Sequence, residues 1–298
     1  MSPTAQPPVP TERLILTADD GYPLVAVRYR STVKPRGHLV VGGATAVPQG
    51  FYRRFAEHAA RRGFEVLTLD YRGIGESAPP TLKGFRMDYL DWARLDLAAG
   101  IRAMRAEGVP LYVVGHSFGG HALGLLPDHR SVDAAWTFAT GAGWHGWMPP
   151  LERLRVLFMW RVLGPVWTRL AGYLPWSKLG MGEDLPLDVY RQWGHWCRFP
   201  RYFFDDPAMR DITARFDEVR FPIVAANALD DAWAPPASRD AFMAGYRNTA
   251  VRAITIDPRQ NRLGAIGHMG YFRPKAKPLW DEVLDWFESL PARSRAVA

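Results

Sequence analysis

Ser117 lies in a G-H-S-F-G segment, residues 115–119, which has the G-x-S-x-G pattern of a nucleophile elbow. The apolar, β-branched run at residues 111–114 predicts a buried strand before the serine, and a helix is expected after it. Such a turn holds its serine in a strained conformation, and the flanking glycines let neighbouring backbone pass close by. The free N–H groups and the positive end of the dipole at the start of that helix would also stabilise negative charge at the site. The chemistry indicated is attack of a serine hydroxyl on an acyl carbon.

A serine hydroxyl is a weak nucleophile at neutral pH, so Ser117 needs a histidine base and an acid that orients this histidine. In chains with this elbow the acid and then the histidine follow the serine, each on a loop after a strand. Of the eight histidines, only His268 lies beyond the strand predicted at 223–226 and its acidic loop. Asp230 and Asp231 directly follow that strand. One is expected to be catalytic and the other to be a cap or a backbone anchor.

The negative charge of an acyl-transfer intermediate requires two backbone N–H groups as an oxyanion hole. Phe118 follows the serine and is expected to supply one of them. The second is expected from the loop after the strand predicted at 38–41. Ala44 and Thr45 are both small enough to leave that backbone accessible, so both are candidates.

Composition limits the class of protein. The 298 residues are 48% hydrophobic, enough for one large α/β domain with an insertion. Cys197 is the single cysteine, which excludes an intramolecular disulfide and a cysteine-rich metal site. No secretory pattern begins the sequence, so a cytoplasmic location is expected. The net charge of +7 favours anionic partners, but no nucleic-acid-binding motif accompanies it.

The elements that must position these residues follow from hydrophobic periodicity and turn signals. Strands are predicted at 14–17, 24–29, 38–41, 65–69, 111–114, 134–140, 223–226 and 251–256, and helices at 51–62, 91–107, 238–246 and 279–290. Strands and helices alternate from residue 64, which indicates a parallel sheet with right-handed crossovers. The alternation breaks between residues 143 and 211, where seven of twelve tryptophans concentrate in a strand-poor, helical stretch. This stretch is expected to be an insertion that forms a cap.

Several motifs together resemble serine hydrolases of the α/β-hydrolase superfamily, in the branch of serine-aminopeptidase-like and monoglyceride-lipase-like proteins. The motifs lie at residues 20–21, 51–55, 70–77, 115–120, 230–235 and 267–268. The resemblance implies an α/β-hydrolase fold, with a mostly parallel central sheet, helices on both faces and a helical cap insertion. The organisation predicted from composition and from the order of the elements is a disordered, proline-rich lead-in (1–12), a first core part (13–142), a cap (143–211) and a second core part (212–292).

The resemblance also favours particular residues. Family members place the catalytic aspartate four residues before a proline, and Pro235 then indicates Asp231. Spacing from the oxyanion loop to the Asp70 motif favours Thr45 over Ala44. The His-Gly pair usual before that position is replaced here by Gly43 and Ala44. The implied triad is Ser117, His268 and Asp231, and the implied oxyanion hole consists of Phe118 and Thr45.

The predicted activity is cleavage of a carboxylic ester with an apolar acyl group, through an acyl-enzyme intermediate and without a metal or cofactor. The partner is a small-molecule ester, and cap aromatics are expected to line its acyl pocket. Amidase, thioesterase and acyltransferase activities remain alternatives, as does a catalytically silent ligand-binding protein of the same fold. Residues 151–170 interleave apolar side chains with four arginines, a pattern that also fits a helix at a lipid surface.

Overall fold

Short apolar, β-branched runs form the strands of one mixed sheet. The computed structural model describes residues 7–180, 182–260 and 263–291, and within these ranges the sheet has eight strands. They are β1 (Thr11–Thr17), β2 (Pro23–Tyr29), β3 (Gly37–Gly42), β4 (Phe64–Leu69), β5 (Leu111–His116), β6 (Ala134–Phe138), β7 (Ile223–Ala228) and β8 (Val251–Ile256). Their spatial order is β1-β2-β4-β3-β5-β6-β7-β8. The pairs β1–β2 and β2–β4 are antiparallel and the others are parallel, so the predicted mostly parallel sheet is confirmed.

Helices cover both faces of this sheet. The α-helices in the described ranges are α1 (Arg53–Arg61), α2 (Ala98–Met104), α3 (Phe118–His121), α4 (Pro150–Phe158), α5 (Gly164–Ala171), α6 (Leu187–Trp196), α7 (Arg210–Ala214), α8 (Pro236–Met243) and α9 (Lys277–Ser289). Buried side chains of α1 and α9 pack with one face of the central strands, and those of α2 and α8 pack with the other. The two apolar layers fix the sheet between them, because each strand contributes side chains to both faces.

The chain between β6 and β7 leaves the sheet and forms helices. Helices α4 to α7 lie in this connection, with one isolated antiparallel bridge between Leu174 and Leu185. We refer to residues 143–211 as the cap segment. None of the helices in the described parts of the chain combines the length and the hydrophobicity needed to cross a bilayer.

Three local features were not predicted from the sequence. Strand β1 begins at Thr11 and Val9 is buried, so the lead-in expected over 1–12 is too long, and its first six residues lie outside the described ranges. The helix after the elbow is only the four-residue α3, followed by a 3₁₀ turn, Ala122–Leu125. Its glycines disfavour a long helix, and the Gly124 N–H is donated to Tyr246 Oη (3.1 Å) rather than along the helix.

The helix expected over 91–107 begins as a π-helical turn, Trp92–Leu97, and continues as α2. The turn carries Asp96 into the interior, where it is fully buried and pairs with Arg72 (2.7 Å). An apolar pattern alone does not predict such a turn, because the buried charge that lies on it pairs with a loop distant in sequence.

Candidate active site

Ser117 lies on a strained turn between β5 and α3. Its backbone has φ 51° and ψ −107°, a conformation that costs a non-glycine residue free energy. Added side-chain atoms would clash at both flanking glycines: a Cβ at Gly115 would lie 2.6 Å from the Gly120 nitrogen, and one at Gly119 would lie 2.0 Å from the Gly42 carbonyl oxygen. The elbow therefore requires glycine at these positions, and the close approach presents Ser117 at the carboxyl end of the sheet.

The structure brings Ser117, His268 and Asp231 into one hydrogen-bonded chain. Ser117 Oγ lies 3.1 Å from His268 Nε2, and His268 Nδ1 lies 3.1 Å from each carboxylate oxygen of Asp231. The three residues follow β5, β8 and β7, whose parallel arrangement puts their carboxyl ends at one edge of the sheet. A base within hydrogen-bond reach of a serine, itself oriented by an acid, is the geometry that nucleophilic catalysis requires.

The Asp231 carboxylate is fully buried and accepts hydrogen bonds from several groups besides His268. Trp233 N–H (3.0 Å) and Ala234 N–H (2.9 Å) donate to Oδ1, and Tyr271 O–H donates to Oδ2 (3.2 Å). Burial raises the pKa of the Asp231 carboxyl. The charge of His268 and the hydrogen bonds together lower this pKa by more than burial raises it, so the pKa lies below its usual value. The carboxylate therefore stays ionised when the imidazole gains a proton.

Asp230 has a different environment from that of its neighbour. Its Oδ2 accepts the Ile266 N–H (2.8 Å) and its Oδ1 accepts the Gly267 N–H (3.1 Å). These bonds tie the loop before His268 to the end of β7. The sequence left Asp230 and Asp231 as alternatives; the structure places Asp231 against the imidazole and Asp230 against the backbone of the histidine loop.

The loop after β3 distinguishes Ala44 from Thr45 as an oxyanion donor. The Ala44 N–H is donated to the buried Tyr52 hydroxyl (2.7 Å), so it is already used. In the described part of the chain, no hydrogen bond engages the N–H of Thr45 or of Phe118. Both lie in segments that line or adjoin the cavity at Ser117. The geometry thus favours Thr45 together with Phe118.

A cavity of about 420 Å³ opens at Ser117 and His268. Trp176 and Trp193 of the cap segment and Trp233 of the Asp231 loop contribute aromatic walls. The other cap tryptophans lie elsewhere in the segment, so only part of the aromatic concentration reaches this cavity. A mostly apolar cleft with a few polar groups at one end is typical of a small-molecule site.

Other groups that could carry chemistry are accounted for by packing. Cys197 is buried, and burial raises the pKa of its thiol, as expected for a packed cysteine. Among the described residues, no three His, Cys, Asp or Glu side chains are grouped so that they could hold a metal ion.

Comparison with known proteins now identifies the family. Residues 34–190, more than half of the chain, match the family described as serine aminopeptidase, S33. The chain belongs to that family. The expected resemblance to the α/β-hydrolase branch that includes monoglyceride-lipase-like proteins is confirmed.

Individual relatives are distant. Monoglyceride lipase of Saccharomyces cerevisiae is 33% identical over 69 residues, a segment that spans 22% of this chain and 22% of that enzyme. The structure of a soluble variant of the same yeast enzyme with a substrate analogue superposes with a TM-score of 0.66 at 15% identity, covering 97% of this chain and 99% of that one. An N-acyl homoserine lactone degrading enzyme gives a TM-score of 0.59 at 18% identity, over 92% of this chain and 100% of that one. At these identities the superpositions show the α/β-hydrolase fold.

In this α/β-hydrolase a buried tyrosine and histidine connect the loop after β3, the candidate oxyanion loop that carries Ala44 and Thr45, to the histidine loop that carries His268. His116 Nε2 lies 2.8 Å from the His268 carbonyl oxygen, which can only accept, so Nε2 carries the hydrogen. His116 Nδ1 then accepts the hydrogen of the Tyr52 hydroxyl (3.0 Å), whose oxygen accepts the Ala44 N–H. Burial and the nearby His268 lower the pKa of His116 to about 3, which keeps this arrangement neutral. The sequence motifs contained both residues but no signal for their contact.

The oxyanion loop of the α/β-hydrolase is also attached to the cap segment. Thr45 Oγ1 lies 2.5 Å from the Tyr89 hydroxyl, and the Tyr89 N–H donates to Gln192 Oε1 of α6 (2.5 Å). The carbonyl of Ala46, whose φ is 63°, accepts the Glu183 N–H (2.8 Å). The Glu183 contact on the strained Ala46, together with the link from Thr45 through Tyr89 to Gln192, indicates that the cap segment helps to set the conformation of this loop.

The loop after β4, residues 70–77, has a supporting role. Asp70 accepts the Gln49 N–H (2.6 Å) and so anchors the far end of the oxyanion loop. Arg72 pairs with the buried Asp96 and with Asp20 (2.6 Å). Breaking a buried ion pair is costly because the remaining charge is left unpaired. The motif shared with the family therefore acts on structure rather than on the reacting atoms.

Proposed function

We propose that this protein is a serine hydrolase that cleaves carboxylic esters with an apolar acyl group. The observation that carries the proposal is the Ser117–His268–Asp231 chain at the end of a mostly apolar cavity. A nucleophile without a base, or a triad without a cavity, would not support turnover. Here the nucleophile, the base, the acid and the cavity are present together with two candidate oxyanion donors.

The proposed reaction has two steps. Ser117 Oγ attacks the acyl carbon while His268 Nε2 takes the hydroxyl proton, and the N–H groups of Phe118 and Thr45 stabilise the oxyanion. Collapse of this intermediate breaks the ester bond, and the leaving alcohol takes the proton from His268. Water then attacks the acyl-enzyme, again losing its proton to His268, and the carboxylic acid leaves as Ser117 is restored. Asp231 orients the imidazole and stabilises its charge throughout.

Covalent labelling tests this proposal directly. A fluorophosphonate probe should react with the folded protein and, after proteolysis, mass spectrometry should find it on the peptide that contains Ser117. A p-nitrophenyl ester should give a burst of p-nitrophenol close to one equivalent if deacylation is slower than acylation. A folded protein that is neither labelled nor active on any ester would instead be a silent ligand-binding protein of this fold.

The apolar cavity predicts a dependence on acyl length. Each added methylene should gain up to about 0.8 kcal/mol, roughly fourfold in kcat/KM, until the cavity is full, after which the rate should fall. Trp193→Ala enlarges the cavity and should move the optimum to longer esters. The measurement is kcat/KM over p-nitrophenyl esters of increasing length.

Trp147→Ala is the matched control, because Trp147 belongs to the same cap segment but does not line this cavity and instead donates to the Pro200 carbonyl (2.8 Å). This variant should keep the original optimum. A profile that is flat with acyl length in the unsubstituted protein would contradict an apolar acyl site and favour small polar esters.

Tyr52→Phe tests the connection between the two loops. The change leaves the Ala44 N–H and His116 Nδ1 without their partner in a buried position, so the free energy of unfolding should fall by about 1–3 kcal/mol. Because the His268 loop and the oxyanion loop lose their link, kcat should fall roughly 10-fold or more with little change in KM. Denaturant titration and steady-state kinetics measure the two effects.

Tyr112→Phe is the control for Tyr52→Phe. Tyr112 is also buried, but its hydroxyl donates to the Phe287 carbonyl (3.4 Å) far along the sheet from Ser117. The kcat of the Tyr112→Phe variant should be unchanged. A Tyr52→Phe variant that loses stability but keeps the full kcat would show that the connection has no positioning role.

A further inference from the structure

One helical stretch of the cap segment exposes an unusual amount of apolar surface. Residues 150–171 form α4, a π-helical turn (Met159–Leu163) and α5 without a break. Six large apolar side chains on this stretch are between 45% and 79% exposed: Leu151, Leu154, Phe158, Val162, Val166 and Leu170. We call these six residues the apolar stripe. A helix that served only to cover the cavity would not need six large apolar side chains exposed to solvent.

The π-helical turn keeps the apolar stripe in line. Its members are spaced by three and then four residues, and in an unbroken α-helix each step of four rotates a stripe by about 40°. A π turn accommodates about one extra residue, which offsets much of the accumulated rotation. With this spacing and a π turn between them, the two halves of the stripe are expected to run along one side of the stretch.

The charged residues of this helical stretch are almost all positive. Residues 150–171 contain four arginines and one acidic residue, Glu152, which accepts the Trp233 Nε1–H (2.8 Å). Arg161 and Arg169 on this stretch and Arg191 on α6 are exposed. Within the described residues, none of these three has a carboxylate at ion-pair distance. Exposed arginines beside an apolar surface match the headgroup and acyl layers of an anionic membrane.

We propose that the apolar stripe and its flanking arginines dock on an anionic lipid surface. The arginines favour this occupant over a second copy of the chain, since two copies would bring like charges together. The proposal does not depend on the ester-cleaving activity. It has a consequence for that activity, because Glu152 at the start of α4 bonds Trp233, a wall of the cavity at Ser117. Docking would thus hold the cavity close to apolar molecules dissolved in the surface.

Vesicle flotation tests the proposal. The full-length protein should bind phosphatidylcholine vesicles that contain about 30% phosphatidylglycerol, and should bind pure phosphatidylcholine vesicles at least roughly 10-fold more weakly. Raising the salt from about 0.1 M to about 0.5 M should weaken the binding, because the headgroup attraction is screened. The variants Leu154→Glu/Phe158→Glu and Arg161→Glu/Arg169→Glu should each bind the anionic vesicles roughly 10-fold or more weakly.

Ile15→Glu is the matched control, since Ile15 is an exposed apolar residue (57%) on β1, outside the cap segment. It should bind the vesicles normally, and circular dichroism melting shows whether each variant is folded. Absence of binding by the unsubstituted protein at low salt, or binding unaffected by the stripe substitutions, would overturn the proposal. So would a stable dimer, measured by light scattering, that does not bind vesicles and is dissociated by Leu154→Glu/Phe158→Glu, because the stripe would then contact a second copy.

Discussion

Ser117→Ala should leave a folded protein whose ester cleavage is slower by roughly 10³-fold or more. The Ser117 hydroxyl lies 3.1 Å from His268 Nε2, so without it the imidazole loses the nucleophile that it would deprotonate. The oxyanion donors and the cavity remain, and they set the residual rate. Fluorophosphonate labelling should disappear together with turnover. Both are measured on protein whose thermal melting matches that of the unsubstituted chain.

Ser238→Ala is the control for this loss. Ser238 is also fully buried, but it lies on α8 and its hydroxyl has no partner among the described residues. Removal of this hydroxyl should change neither labelling nor kcat. If Ser117→Ala kept near-normal turnover of an activated ester, the proposed mechanism would be wrong, whatever the geometry of the elbow.

Asp231→Asn should lower kcat by about 10³- to 10⁴-fold. An amide cannot stabilise the imidazolium, and its NH₂ group favours the histidine tautomer with the wrong nitrogen protonated. The free energy of unfolding should fall as well, since the buried carboxylate accepts hydrogen bonds from Tyr271, Trp233 and Ala234 that an amide satisfies less well. Single-turnover kinetics with an activated ester measure the acylation step separately from substrate binding.

Asp230→Asn is the paired test, because the two residues are adjacent and have the same side chain. Asp230 accepts two backbone N–H groups, and an amide oxygen can replace only one of its oxygens. Its free energy of unfolding should fall by about 1–3 kcal/mol, while kcat should stay within roughly 10-fold of normal. The opposite ranking of the two variants in kcat would transfer the role of triad acid to Asp230.

Features that depend on neighbouring residues in the chain were predictable. The β-branched runs and the glycines around Ser117 predict strands and an elbow, because strand pairing and tight turns impose local requirements on residue type. Chain order alone selected His268 from the eight histidines. The short length of the elbow helix was not predictable in this way, since the Gly124 N–H bonds a tyrosine distant in sequence.

Choices between adjacent residues needed the tertiary structure. Asp230 and Asp231 have the same chemistry and lie on one loop, so only the direction of each side chain relative to β8 and its loop distinguishes them. Ala44 and Thr45 differ as donors because the hydroxyl of Tyr52, carried by a neighbouring element, occupies one N–H. Family resemblance favoured Asp231 and Thr45, and the contacts supply the physical reason.

The cap segment shows the same division between what the sequence determines and what the tertiary structure decides. Its sequence determined that residues 143–211 are largely helical and rich in tryptophan, because composition and helical spacing are local properties. Only the packed structure decided that Trp176 and Trp193 line the cavity at Ser117, and that the apolar stripe faces outward. Hydrophobic periodicity shows that a helix has an apolar side, but which surface covers that side depends on contacts between segments far apart in the chain.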